Sequence, residues 1–136
     1  MPTDGPRTHA GLEIWPKGIY DLVTHISREY NRPIIEITEC GCCYMDMPYE
    51  KEGGRVPDER RTAFFKGILA ELARAIADGA MVRAFHAWSL MDSFEWTDGY
   101  SRGYGLTYVD FRDQRRMVKD SGLWYGRVAG TNRLSH

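Results

Sequence analysis

The chain has no apolar run near the ~20 residues that a bilayer-spanning helix needs. Its first residues, Met-Pro-Thr-Asp-Gly-Pro-Arg, carry no apolar core of a secretory leader, and no Asn-x-Ser/Thr acceptor occurs anywhere. These absences give a cytoplasmic expectation with no membrane partner. Neither sign of charge is in surplus, since 18 Lys and Arg face 19 Asp and Glu for a formal net charge of −1. That excludes the electrostatic footprint of a nucleic-acid binder. The one basic run, Arg112–Lys119, has Asp113 within it and Asp110 and Asp120 at its ends, and reads as solvated, salt-bridged surface. Cysteine is scarce and clustered at Cys40, Cys42 and Cys43. An odd, adjacent set is no disulfide framework, and reduced thiols in a loop are the expectation. A zinc site would need a fourth ligand from His9, His25, His86 or His136, none of which has ligand spacing to the cluster. No internal repeat, low-complexity segment or cofactor motif is present.

What remains is globular: 136 residues, 43% hydrophobic and 12% aromatic, enough for one core. Residues 1–14 read as a loop. Pro16 then opens a helix at a position where its missing N–H costs nothing, with Ile19, Leu22, Val23, Ile26 and Tyr30 at helical spacing and Asn31 as the stop. Pro33–Thr38 reads as a buried strand, and Tyr44–Pro57 as loop. Asp58 is the expected N-cap of a helix from about Glu59 to Asp78, with Phe64, Phe65, Ile68, Leu69, Leu72 and Ile76 as its buried stripe and Gly79 beyond it. Met81–Ala87 is a second strand. Leu106–Phe111 is a short extended run, Lys119–Ser121 starts a last helix containing Leu123, Trp124, Tyr125 and Val128, and the tail from Gly130 is expected to fray.

Chemistry concentrates in two stretches. Pro33–Tyr44 is a β-branched run ending on a carboxylate, Glu39, followed at once by Gly41. In parallel α/β folds the C-terminal rim of a strand is where ligands are met, although a strand-end carboxylate is also an ordinary first exposed residue. Trp88–Trp96 sets aromatics beside Asp92 and Glu95. Indole faces pack on the apolar faces of sugar rings, and carboxylates accept pairs of hydroxyl hydrogens. The same composition also suits a buried aromatic cluster with two loop caps.

Residues Ile37-Thr38-Glu39-Cys40-Gly41 resemble the Ile-Thr-Glu-Asn-Gly signature of glycoside hydrolase family 1, the retaining β-glucosidase and β-galactosidase family. Cys40 stands in place of Asn, and Glu36 where an aromatic is usual. Ala87–Trp96 is similar to the family's Ala-Trp-Ser-Leu-x-Asp-Asn-Phe-Glu-Trp, with Ser93 for Asn. Asp58, Arg61, Phe64 and Leu69 match its Asp-x-x-Arg helix start, with Ile68 for the usual His. Asp98–Arg102, Gly105–Asp110 and Lys119–Ser121 continue the likeness, which runs from about Thr3 to Val128 with Gly5–Ala10 as a small insertion. Carried over position by position, the resemblance implies Glu39 as nucleophile and Trp88 stacking on the glycone. It implies Glu95 accepting from distal hydroxyls, Trp96 donating its indole N–H nearby and Tyr104 lining the pocket. A carboxylate at Glu95, not a Ser, disfavours a phosphorylated glycone.

The implied reaction is double displacement with retention, in which a second carboxyl about 5 Å from the nucleophile donates and later removes a proton. The family carries that group in a Thr-x-Asn-Glu-Pro motif, and this chain has no Asn-Glu pair. Glu36 cannot replace it if strand alternation turns it away from Glu39. A closed (β/α)8 barrel needs eight strands and typically ~250 residues. The expected fold is therefore α/β, the part from about helix 6 to helix 8 of a TIM barrel with two parallel strands, as one partial domain over residues 1–136. Its partners would be a β-glucoside or related small saccharide, and a complementary N-terminal chain or a second copy. A non-catalytic carbohydrate- or partner-binding remnant is the competing expectation, and a thiol or metal protein built on the cysteines is the third.

Overall fold

The computed structural model describes residues 5–49 and 55–134. Their elements, in order, are α1 (Lys17–Glu29), β1 (Ile34–Cys40), α2 (Glu59–Ala77), β2 (Met81–Ala87), β3 (Thr107–Val109), β4 (Arg116–Val118) and α3 (Asp120–Thr131). Thr3 and Asp4, where the family likeness begins, lie outside the described residues. β1 and β2 pair in parallel across the α2 crossover, from Ile34 opposite Met81 to Cys40 opposite Ala87. β3 and β4 form a separate antiparallel hairpin.

Two clusters hold these elements. Val23 of α1, Leu72 and Ala75 of α2 and Ala80 are buried together, with Ile35 and Ile37 of β1 and Val82 and Phe85 of β2 packed on them. Phe65, Leu106 and Trp124 form the second, closed by Phe64, Phe85, Tyr125 and Val128, and Tyr125 Oη donates to the Phe85 carbonyl at 3.0 Å. Apolar side chains thus cover one face of the sheet with helices. On the other face Ile34, Glu36 and Thr38 of β1 and Met81, Arg83 and His86 of β2 are exposed.

The pattern reading holds for both parallel strands, α2 and the start of α3. It needs correction elsewhere. Leu22 and Tyr30 are exposed, while Val23, Thr24 and Ser27 are the buried side of α1. Among the described residues that helix packs chiefly on α2 and on β1 and β2 side chains, so a wide apolar stripe has too little to cover it. Ile76 is exposed for the same reason. The Arg112–Lys119 run is not all solvated surface: Arg116–Val118 is β4, and Lys119 is buried. α3 continues through Gly130 to Thr131 instead of fraying there. Asp58 occupies the N-cap position of α2 but makes no side-chain cap bond. Its carboxylate accepts instead from Ser121 N at 2.7 Å, from the Ser121 hydroxyl and from Arg61 Nη1 at 2.7 Å.

Candidate active site

Glu39 is exposed near the C-terminal end of β1. The β1–β2 register shifts between Ile37 and Cys40, so two consecutive residues, Thr38 and Glu39, are exposed and strict alternation fails there. Parity therefore does not separate Glu36 from Glu39. What disqualifies Glu36 as a proton donor is its setting: hydrogen bonds from His86 and then Arg83 hold its carboxyl below the ordinary carboxylate range.

The end of β1 meets the end of β2 closely. Trp88 N donates to the Cys40 carbonyl at 2.8 Å. A Cβ on Gly41 would lie 1.8 Å from the Trp88 carbonyl oxygen, so only glycine permits this approach. Trp88 follows directly on β2, exposed at 38%, with a cis peptide bond to Ser89. Ser89 N then donates to the Tyr104 carbonyl at 3.1 Å and Leu106 N to the Ser89 carbonyl at 2.8 Å, which brings the half-buried Tyr104 to the same rim. Burial pushes the Tyr104 hydroxyl above its ordinary pKa, with the nearby Cys43 and Glu95 adding to the shift.

Glu95 sits in a tight turn in which its N and O both bond Gly99 at 2.8 Å. Its Oε1 is buried and has no hydrogen-bond partner among the described residues. A carboxylate oxygen in that state is costly to the free protein and retains acceptor capacity for a hydroxyl. Trp96 is 95% exposed, and Phe94 and Tyr100 stack edge to face at 5.3 Å beside it in sequence. Glu39, Trp88, Glu95 and Tyr104 thus belong to one rim. Trp96 belongs to the same loop but is left uncovered by the described residues.

A buried ionic ladder underpins the rim, most of which pattern reading did not assign to the site. Asp92 accepts from Gly105 N at 2.8 Å and from Lys119 Nζ at 3.1 Å. Lys119 lies 3.5 Å from Asp46, which also receives Arg61 Nη1. Arg61 has no exposed surface and donates further to Asp58 and to the Gly103 carbonyl at 2.6 Å. Burial works against both cations. At Arg61 the two carboxylates outweigh it and raise the pKa, whereas Lys119 is held below its usual value by burial and by Arg61. The ladder joins the loop after β1 to the loop after β2. Asp92 as a candidate loop cap, the i, i+3 spacing of Asp58 and Arg61 and the Lys119-Asp120-Ser121 run were its traces in the sequence.

Burial pushes the Cys40 thiol up to about 11 and Cys42 up to about 12, so neither is a thiolate at neutral pH. Among the described residues no group of three or more His, Cys, Asp or Glu could hold a metal ion, and no helix is long and apolar enough to cross a membrane.

A parallel strand pair with a crossover helix, carrying carboxylates and indoles at its C-terminal rim, is a β/α unit of the kind from which parallel α/β folds are built. The chain belongs to glycosyl hydrolase family 1, whose family model matches residues 2–134. It is 42% identical over 131 residues to β-glucosidase A of Thermotoga maritima, covering 96% of this chain and 29% of that protein. It is 43% identical over 132 residues to a 6-phospho-β-galactosidase of Staphylococcus epidermidis, covering 96% of this chain and 28% of that one. The solved family 1 β-glucosidase from T. maritima, a TIM barrel, superposes with a TM-score of 0.95 at 40% identity over 100% of this chain and 30% of its own. The same enzyme in complex with deoxynojirimycin superposes equally well at 41% identity. The chain therefore spans less than a third of the length of the relatives it matches.

Proposed function

We propose that the chain is the nucleophile-bearing part of a retaining β-glycosidase of β-glucosidase type, with Glu39 attacking the anomeric carbon. α1, β1, α2, β2 and α3 correspond on this reading to helix 6, strand 7, helix 7, strand 8 and helix 8 of the barrel. Trp88 stacks on the glycone, Glu95 accepts from its distal hydroxyls, Trp96 donates its indole N–H and Tyr104 lines the pocket. The observation that carries the reading is the rim contact between β1 and β2. Glu39 stands one residue from Cys40, whose carbonyl takes the Trp88 N–H at 2.8 Å, so nucleophile and glycone platform share one end of the sheet.

Attack by Glu39 forms a glycosyl ester as the aglycone oxygen leaves with a proton, and water then cleaves that ester with retention. The proton donor has to be a second carboxyl. Glu36 is held ionised by His86 and Arg83 and does not suit that role, so an N-terminal part of the barrel supplies the acid/base Glu. A carboxylate at Glu95 repels a phosphate on the distal side of the sugar, which favours unphosphorylated glucosides over the substrates named for the 6-phospho-β-galactosidase relatives.

Hydrolysis of a chromogenic β-glucoside tests the reading. Turnover is expected only after addition of an N-terminal complement and is expected to vanish in Glu39→Ala. Saturable quenching of Trp fluorescence by glucose or deoxynojirimycin without any turnover on complementation would instead leave a carbohydrate-binding remnant, a reading favoured by the unpaired Oε1 of Glu95.

A further inference from the structure

The helix-free face of the β1–β2 sheet is stratified. At its N-terminal end the paired residues Ile34 and Met81 are apolar, 61% and 45% exposed. A charged layer comes next: Glu36 Oε1 lies 3.0 Å from His86 Nε2, and Arg83 Nη2 donates to Glu36 Oε2 at 3.3 Å. Glu39 follows at the rim.

A parallel sheet is ordinarily covered on both faces, and a barrel interior is ordinarily filled by layers of bulky branched side chains. A charged layer in that position must keep every charge and donor satisfied once water is removed. Glu36 answers His86 and one nitrogen of Arg83. Arg83 has five N–H donors, and only Nη2 is engaged among the described residues. What covers this face must therefore bring acceptors. The candidate cover follows from length: the chain fits a complete barrel with a TM-score of 0.95 yet fills only 30% of it.

We propose that this face docks the N-terminal part of the barrel, and that the docking part presents carboxylate or amide oxygens to Arg83 and His86. The inference rests on the fragment reading above and deepens it.

The test uses the intact chain and, as probe, the separately produced N-terminal part of T. maritima β-glucosidase A that this chain does not match, natural and with Asn or Asp introduced by selection at its inward strand positions. Association is measured by calorimetry and β-glucoside hydrolysis in the same mixtures. Arg83 and His86 are exposed in the chain, so Arg83→Met/His86→Leu is expected to melt like the parent. Selected probes are expected to carry acceptors and to bind the parent about tenfold or more tightly than they bind the double variant, as loss of a charge-assisted hydrogen bond predicts. Equal or tighter binding by the double variant overturns the proposal, as does self-association of the chain that persists in light scattering when the probe is added. Association that depends on Arg83 but gives no hydrolysis keeps the docking layer and removes the glycosidase reading. Hydrolysis indifferent to the double variant does the reverse.

Discussion

Arg61 shows how much can depend on one side chain. It has no exposed surface, and it holds Asp46 and Asp58 as well as the Gly103 carbonyl. Arg61→Met keeps most of the volume and strands two carboxylates, so a loss of about 3–5 kcal/mol is expected in urea unfolding. A loss below about 1 kcal/mol would place the pair among ordinary surface bridges. Asp110 gives a signed pH dependence. Hydrogen bonds from the Arg112 side chain and backbone hold its carboxyl well below the usual carboxylate range. A depressed folded pKa adds stability that is complete above the unfolded value of about 3.9 and is lost as pH falls toward the folded one. The stability gap between the parent and Asp110→Asn is therefore expected to narrow from pH 6 to pH 2, modestly, because Arg112 is 85% exposed and solvent screens it. At Cys40 the thiol is only a weak donor where the family has an amide. Cys40→Asn is expected to raise turnover of the complemented enzyme, and an unchanged rate would count against that reading of the departure.

At the level of elements, the rim depends on glycine contacts that admit no substitute. Gly41→Ala places a methyl 1.8 Å from the Trp88 carbonyl oxygen, a backbone atom that cannot swing aside. The expected result is separation of the two strand ends, a cost of about 1–3 kcal/mol or more and a changed near-ultraviolet Trp signal; an unaltered spectrum would contradict the close contact. Gly105 is pinned in the same way: a Cβ there would lie 2.2 Å from Asp92 N. The parallel strands and α2 were legible because their apolar residues recur with the period of the element that buries them. β4 was not, since the alternation Arg116, Met117, Val118 is three residues long and sits in a basic run. The rim carboxylates and indoles were legible through motif words. Most of the ladder behind them was not, because contacts such as Asp92–Lys119 and Asp58–Ser121 span 27 and 63 residues, and no local pattern reports a contact of that range. The strand bulge escaped for a related reason: alternation assumes a regular pleat, and Thr38 and Glu39 break it.

For the molecule as a whole, a parallel pair with Ile34 and Met81 exposed and, among the described residues, both strand edges unpaired invites association. Light scattering of the chain alone is expected to show mass rising with concentration, and the rise is expected to fall away when an N-terminal barrel part is added; a strictly monomeric chain at all concentrations would show that the charged layer keeps the face in water. The contrast between the locked glycines and their freely exposed neighbours also sets out how this rim can be re-engineered. Met45, Met47 and Leu90 are 61%, 64% and 69% exposed. On the proposed glycosidase reading, a randomised library aimed at a different sugar should vary those three and leave positions 41, 61, 105 and 119 untouched, because diversity spent there returns unfolded protein instead of new selectivity.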